Sequence, residues 1–367
     1  MSMQFDEVVP VQEAAPRLVE VTEAPMGAVV LKVDNLTVKF PSDEGPVNAV
    51  QNLSYEARLG RTLAIVGESG SGKSVSTMTV LGLHNPARTF ISGSVNLDGE
   101  EIVGASQATM RRLRSAKVAM VFQDPQSSLH PFYKIGSQIA EAYLAHHRVS
   151  KAVANKRAVE MLDLVGIPNP DRRAKQFPHE FSGGMRQRAM IAMALSCNPD
   201  VLIADEPTTA LDVTIQAQIL ELLANLRRDF DSSVILITHD LGVVAEVADE
   251  IIVMYSGRVV ERGSKREIFY DPQHPYTWGL LGSIPRLDRP KPKKLHSIEG
   301  APPSLINLPR GCKFRPRCPH AFEKCHEEPE LKSRVEAKGH LDRCWLSVED
   351  KRRLRETTIA GQAEEVA

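Results

Sequence analysis

Gly67-Glu68-Ser69-Gly70-Ser71-Gly72-Lys73-Ser74 fits the spacing G-x-x-x-x-G-K-[ST], and it stands where that pattern needs to stand. A short apolar run, Thr62 to Val66, precedes it, and an apolar-periodic stretch from Lys73 to Leu83 follows. The order is therefore buried strand, glycine-rich loop, helix. Gly67, Gly70 and Gly72 let successive backbone N–H groups converge on phosphate oxygens around Ser69, and the helix N-terminus adds partial positive charge. Lys73 is expected to reach the β and γ phosphates, and the Ser74 hydroxyl to coordinate Mg²⁺.

Working outward, a second signal, Val201-Leu202-Ile203-Ala204-Asp205-Glu206, places Asp205 131 residues beyond Ser74. The apolar run buries this strand and puts Asp205 at its C-terminal end, where open α/β sheets bind ligands. Asp205 then suits Mg²⁺ through a water, and Glu206 suits a base that orients water on the γ-phosphate. Further strands are expected at Val29 to Phe40, Val47 to Ala57, Gly93 to Asp98, Lys117 to Phe122, Ser233 to Thr238 and Glu250 to Tyr255. Residues 135 to 197 are helical in pattern, including Lys151 to Val165 and Met185 to Ser196, and helices are also expected over Ile215 to Phe230 and Leu241 to Val247. The βαβ alternation implies a parallel sheet with helices on both faces, in an α/β fold.

The chain has 367 residues, enough for two to three domains at roughly 150 each and for a core that needs no staples. With 45 basic and 46 acidic residues it carries no global field that would draw it onto nucleic acid or an anionic bilayer. Hydrophobic content of 42% is ordinary, and no apolar run approaches the roughly 18 to 20 residues of a membrane span. The first 28 residues are Pro-containing and mostly acidic, without the features of a signal peptide. Six prolines fall between Pro285 and Pro309, so a solvated, extended linker and a domain boundary are expected there. The end from Thr357 is polar and is expected to fray.

Between the two carboxylate-bearing signals lies Phe181-Ser182-Gly183-Gly184-Met185-Arg186-Gln187-Arg188. Here the sequence resembles the ATP-binding-cassette ATPases, whose signature is close to Leu-Ser-Gly-Gly-Gln. Phe181 and Met185 depart from that pattern but leave the Ser-Gly-Gly donors in place. Gln123 in the VFQDP segment, the Ala210-Leu211-Asp212 loop and His239 match other cassette elements in order. The resemblance implies a RecA-like core hydrolysing ATP with Mg²⁺, an antiparallel β subdomain and a helical subdomain at about 124–199. It also implies a head-to-tail dimer in which Ser182, Gly183 and Gly184 of one subunit close on the ATP of its partner. By the same resemblance His239 contacts the γ-phosphate, Gln123 senses Mg²⁺ and opens the loop that faces membrane subunits, Asp212 touches the dimer partner, and Phe40 stacks on adenine.

Spacing excludes some branches of this family. Lys73 and Ser182 are 109 residues apart, which leaves no room for the coiled coils of chromosome-maintenance cassettes. One phosphate loop and no span argue against translation-type tandem cassettes and fused exporters. Segments 122–125, 178–188, 204–212, His274-Pro275-Tyr276-Thr277 and Leu308 to Cys344 resemble the oligopeptide and dipeptide permease ATPases, in their D-type branch. That resemblance implies two integral membrane permease partners, a second homologous ATPase, an extracytoplasmic peptide-binding protein and no nucleic acid. The expected location is peripheral, on the cytoplasmic face of the inner or plasma membrane. Similar systems carry nickel or oligosaccharides, and cargo is not written in this chain. The expected organisation is a tail at 1–28, the ATPase domain at 29–284, a Pro-rich linker at 285–309, a small four-cysteine extension at 310–350 and a tail at 351–367.

Cys312, Cys318, Cys325 and Cys344 have the spacing C-x5-C-x6-C-x18-C, which lacks the C-x2-C pairs of zinc ribbons. By residue type they suit either zinc, with His320 or His326 as substitutes, or a four-iron four-sulfur cluster, and they can also stay unligated or form disulfides. The resembled permease ATPases carry an iron–sulfur cluster here in some members, which implies a [4Fe-4S] cluster. Arg315, Arg317 and Arg343 are expected to offset its charge and lower the thiolate pKa values. Cys197, in the helical stretch, is expected to be a small buried apolar residue.

Overall fold

A computed structural model describes residues 27–209, 211–284, 298–333 and 339–355. The expected N-terminal tail up to residue 26, the stretch 285–297 and the end from residue 356 lie outside the described residues.

The chain enters as two long antiparallel strands, β1 (Val29–Phe40) and β2 (Val47–Arg58). The fully buried β3 (Thr62–Val66) follows, and then β4 (Phe90–Leu97) and β5 (Glu100–Glu101) return to the first pair. This gives a four-stranded antiparallel sheet in the order β2-β1-β4-β5. Leu31 and Val33 point inward while Lys32 and Asp34 are exposed, the alternation of a sheet with one wet face.

The remaining strands are β6 (Val118–Val121), β7 (Val201–Asp205), β8 (Ser233–Thr238), β9 (Glu250–Tyr255), β10 (Arg258–Ser264) and β11 (Leu341–Asp342). With β3 they form a seven-stranded sheet, β11-β10-β9-β3-β8-β7-β6. The five strands from β9 to β6 are parallel, and β3, β7 and β8 are buried at every position. Parallel strands covered on both faces read as continuous apolar runs, which is why these were legible in sequence. The expected helix from Lys73 to Leu83 ends at Val80, because Gly82 takes a left-handed φ of +58° and stops it. The helix expected from Met185 starts two residues earlier, where Ser182 caps it.

Between β6 and β7 the helices Ile135–Leu144, Lys151–Leu164 and Gly183–Leu195 share a core of Ile139, Met161, Leu162 and Ile191. That core runs on into Leu202 of β7 and Leu236 of β8. The helical region is thus anchored on the face of the sheet whose strand ends carry the candidate site.

The C-terminal part departs from the sequence reading. Strand β10 and the helices Lys265–Tyr270 and Pro275–Gly282 were not anticipated. The cysteine region, expected to lie outside the cassette, packs onto it: β11 pairs Asp342 with Glu261 of β10, and Phe314 meets Tyr255 of β9 edge-on with ring centroids 5.3 Å apart. Phe314, Cys312 and Cys318 belong to the same apolar cluster as Ala64 and Val66 of β3. The apolar surface that this region buries is therefore shared with the sheet.

Lys351, placed by sequence at the start of a tail, has no exposed surface, and its Nζ donates to Asp342 Oδ1 at 2.7 Å. Removing one member of a buried pair leaves the other charge desolvated, which costs about 3 kcal/mol or more. Lys351→Ala should therefore lower unfolding stability by about 3 kcal/mol in a denaturant titration. A loss below about 1 kcal/mol would show that water reaches Asp342.

Candidate active site

The loop after β3 is held in a shape that only glycine accepts at two points. Gly67 has φ +150°, and a Cβ there would sit 2.2 Å from the Met254 carbonyl oxygen. Gly72 has φ +98°, and its Cβ would meet the Ala49 carbonyl oxygen at the same distance. Both sheets thus clamp the loop, one strand from each. At Gly70, with φ +76°, a Cβ would meet nothing among the described residues within 4 Å, so there the left-handed backbone alone favours glycine.

Lys73 opens the helix Lys73–Val80 and is 5% exposed. Its Nζ donates to the carbonyls of Gly67 at 2.7 Å and Glu68 at 3.0 Å. Burial pulls its pKa below the usual lysine value, and the charges of Glu206, Asp205 and Glu68 oppose that pull. The ammonium sits inside the loop, where it can turn toward phosphate oxygens.

Ser74 Oγ donates to Asp205 Oδ1 at 3.1 Å, so the hydroxyl and the carboxylate expected to hold Mg²⁺ stand side by side. Burial, and secondarily the Glu206 charge, raise the Asp205 pKa, while the Ser74 hydrogen bond and Lys73 lower it. A buried carboxylate paired with a hydroxyl is a hard-oxygen donor set short of a cation, and the residues fit magnesium. Gln123, also expected at the metal, donates from Nε2 to Glu206 Oε2 at 2.9 Å, within the same group of side chains.

Glu206 is the hub. It takes a left-handed φ of +45°, an unusual conformation for a residue with a side chain, and its N–H donates to the Ile237 carbonyl at 2.8 Å. Its carboxylate accepts from Gln123 and from Thr209 Oγ1 at 3.0 Å, and His239 Nδ1 lies 3.1 Å from Oε1. The structure thus brings together Lys73, Ser74, Gln123, Asp205, Glu206 and His239. The reason is strand register: Val66 of β3 pairs with Thr238 of β8, and Asp205 of β7 with Ile237. Three adjacent parallel strands end at one edge. Thr209 was missed as a functional residue, although it lies inside the quoted Ala204 to Asp212 segment.

Other expected site residues lie apart. Ser182 caps the helix Gly183–Leu195, accepting from the Met185 N–H at 3.3 Å, and Ser182 and Gly183 are exposed. Among the described residues no hydrogen bond joins Ser182, Gly183 or Gly184 to the phosphate loop. Asp212 caps the helix Val213–Phe230 through the Ile215 N–H at 3.0 Å, next to Val213, which is 82% exposed. Phe40, at the end of β1, is half-buried with His84 edge-on at 5.5 Å.

All four C-terminal cysteines are free thiols and line one cavity with Phe314, Arg315 and His320. The soft donor set fits a metal cluster, but the arrangement is not a finished site. The cavity is about 10 Å³, room for about one water. Among the described residues no three His, Cys, Asp or Glu side chains are placed to hold a metal ion. The expected lowering of thiolate pKa is corrected: burial raises the Cys312 thiol and pushes Cys318 and Cys344 up to about 12. The arginines are committed elsewhere, Arg317 to Glu68, Arg343 to the carbonyls of Val259 and Pro329, and Arg315 to His326. His326 is thereby turned to Arg315, whereas His320 lines the cavity against Trp278. Cys197, expected to be a small buried apolar residue, is only half-buried, and its thiol donates to the Ala142 carbonyl at 3.6 Å.

The chain matches two family models: ABC transporter over residues 50–209, and the C-terminal region of oligopeptide/dipeptide transporters over residues 260–325. It is 49% identical over 330 residues to the oligopeptide transport ATP-binding protein OppD of Salmonella typhimurium, covering 90% of this chain and 97% of that protein. Similarity to the dipeptide transport ATP-binding protein DppD of Bacillus subtilis is 49% over 337 residues, covering 92% and 99%. Among solved structures, the dimeric post-hydrolysis state of the ATP-binding cassette MJ0796 bound to ADP and Pi aligns with a TM-score of 0.58 at 29% identity, covering 64% of this chain and 99% of that one.

If Glu206 activates the attacking water, Glu206→Gln should lower ATP turnover by roughly 10² to 10⁴ while ATP still binds. Lys73→Ala should instead weaken nucleotide binding in an equilibrium assay, because the charge facing the phosphates is gone. Turnover within tenfold of the parent, or unchanged ATP affinity, would remove the respective assignment.

Proposed function

The chain belongs to the ABC transporter ATP-binding proteins, in their oligopeptide/dipeptide branch, and on that premise we propose that its ATP hydrolysis powers import of oligopeptides or dipeptides. One observation carries this reading. Similarity to peptide-transport ATP-binding proteins does not stop at the cassette but continues through the C-terminal region, over 90% of the chain.

In the proposed cycle Gly67, Ser69, Gly70 and Gly72 present backbone to the phosphates and Lys73 turns its ammonium from the Gly67 and Glu68 carbonyls to the phosphate oxygens. Ser74, Gln123 and, through a water, Asp205 would hold Mg²⁺, which would supply positive charge against the phosphate oxygens. Glu206, oriented by Thr209 and Gln123, takes a proton from the attacking water. His239, at the same carboxylate, contacts the γ-phosphate, and Phe40 stacks on adenine. Ser182, Gly183 and Gly184 close on the ATP of a second, homologous ATPase, with Asp212 at the shared interface. The exposure of Ser182, Gly183 and Asp212 supports that reading, since capping residues with nothing over them are free to meet a partner.

Among the described residues no helix is long and apolar enough to cross a membrane. The protein is proposed to sit peripherally on the cytoplasmic face, against two integral permeases, with an extracytoplasmic peptide-binding protein in the complex and no nucleic acid. Gln123 opens the segment proposed to meet the permeases, and Phe132 and Tyr133 within it are 82% and 58% exposed. The chain is proposed to be organised as the ATPase domain at 29–284, with its helical subdomain at about 124–199, and the cysteine region at 310–350. Purifying the complex from detergent extract and identifying its cargo by mass spectrometry tests this. Permeases with bound peptide are expected; nickel or an oligosaccharide would overturn the cargo, and ribosomes or DNA without permease would overturn the importer.

Cys312, Cys318, Cys325 and Cys344 are proposed to hold one [4Fe-4S] cluster of structural role. Four free thiols around one cavity support this, and the cavity must widen to admit it. Anaerobically purified protein should be brown with about four irons per chain. Colourless protein with stoichiometric zinc, or with no metal, would overturn the cluster.

A further inference from the structure

One charged side chain from the cysteine region reaches the phosphate loop itself. Arg317 ends the short helical turn Arg315–Arg317, and its guanidinium forks onto Glu68, the second residue of the loop and 249 positions away. Nη1 donates to Oε2 at 2.6 Å and Nη2 to Oε1 at 3.0 Å. The Arg317 side chain is 4% exposed. It is held by the Glu299 carbonyl at 2.9 Å and the Ile298 carbonyl at 3.1 Å, and its guanidinium lies 5.8 Å from the Tyr255 ring centre. Its position is therefore over-determined, as a bidentate fork on a carboxylate requires.

The Glu68 backbone is held as well. Its N–H donates to the Tyr276 hydroxyl at 2.9 Å, and its carbonyl accepts from Lys73 and, at 3.2 Å, from the Ser71 N–H. A carboxylate here is a hazard, because the loop has to gather polyphosphate. Two like charges about 10 Å apart at an effective dielectric of about 20 repel by more than 1 kcal/mol. The Glu68 charge is also felt at Lys73, whose ammonium it helps to keep protonated.

We propose that Arg317 is a positioning residue for ATP binding, which cancels and fixes the Glu68 carboxylate so that the phosphate loop accepts a polyphosphate. The proposal rests on the ATP site described above and adds to it a residue outside the cassette motifs. A purely structural ion pair would change stability alone. The proposed role changes affinity, and the change is reversible by removing the charge that Arg317 offsets.

The test is equilibrium binding of MgATP to the full chain at low ionic strength, with thermal unfolding measured alongside. Arg317→Ala should weaken binding roughly tenfold, and Arg317→Lys, which keeps the charge but loses the fork, should recover only part of the loss. The double variant Arg317→Ala with Glu68→Gln should return to within about threefold of the parent. Glu68→Gln alone, close to the parent in shape, should bind MgATP at least as tightly as the parent, which keeps the test alive if Arg317→Ala fails to fold. Unchanged affinity in Arg317→Ala, a double variant as weak as the single one, or weaker binding by Glu68→Gln would each overturn the proposal. Failure of the site reading is distinguishable, because Lys73→Ala would then also leave MgATP affinity unchanged.

Discussion

A buried ammonium sets the terms for everything around it. Lys73 is 5% exposed, and a lysine taken out of water loses its charge unless the surroundings favour the ion. Two loop carbonyls accept from it, and the carboxylates of Glu206, Asp205 and Glu68 all act to keep it protonated. Those acidic groups are in turn the ones proposed to hold magnesium and activate water, and Glu68 ties the loop to the C-terminal region through Arg317. The geometry follows from one sheet: β3, β7 and β8 lie side by side and parallel, so the loop, the two carboxylates and His239 emerge at one edge. Any change that slid one strand would separate the charges that stabilise the lysine.

The same balance explains why the C-terminal region is not an appendage. Phe314 meets Tyr255 edge-on and Tyr276 at a tilt, and Tyr276 in turn takes the Glu68 N–H. The apolar cluster beneath the phosphate loop is completed by residues from beyond position 310. Cys318 follows Arg317 directly in the chain, so the cavity of four thiols and the Glu68 carboxylate are linked through one short helical turn. The buried pairs Lys351 with Asp342 and His340 with Glu261 close the far side of this region. In His340 burial lowers the pKa, yet the Glu261 hydrogen bond and charge outweigh it and the net shift is upward. Its contribution is present below the usual histidine range and fades as pH rises through the elevated value.

Much of the fold and of the nucleotide site was legible in the residues alone. Runs such as Thr62 to Val66 and Ser233 to Thr238 could be placed to the residue, because a parallel strand buried on both faces has an uninterrupted apolar interior, Leu63 to Val66 and Val234 to Ile237, that stands out from its flanks. The phosphate loop was readable because its chemistry is local: glycines, a lysine and a serine within eight positions, between a strand and a helix. The cysteine region was legible as four soft ligands but not as a surface of the cassette. Strand β11 is two residues long and carries no periodic signal.

What the sequence determined by itself, then, was the order of strand, loop and helix and the set of residue types able to bind phosphate and magnesium, since each rests on neighbours a few positions apart. Only the tertiary structure decided which side chain meets which. Gln123 meets Glu206, 83 positions away, a contact that no local pattern announces. Arginines expected to serve the cysteines turned to a carboxylate and to carbonyls, and burial then raised the thiol pKa values that those charges were expected to lower. The physical reason is common to all three: a guanidinium or an amide settles where its donors are best satisfied in space, and desolvation depends on what covers a group, and neither quantity is written in local sequence.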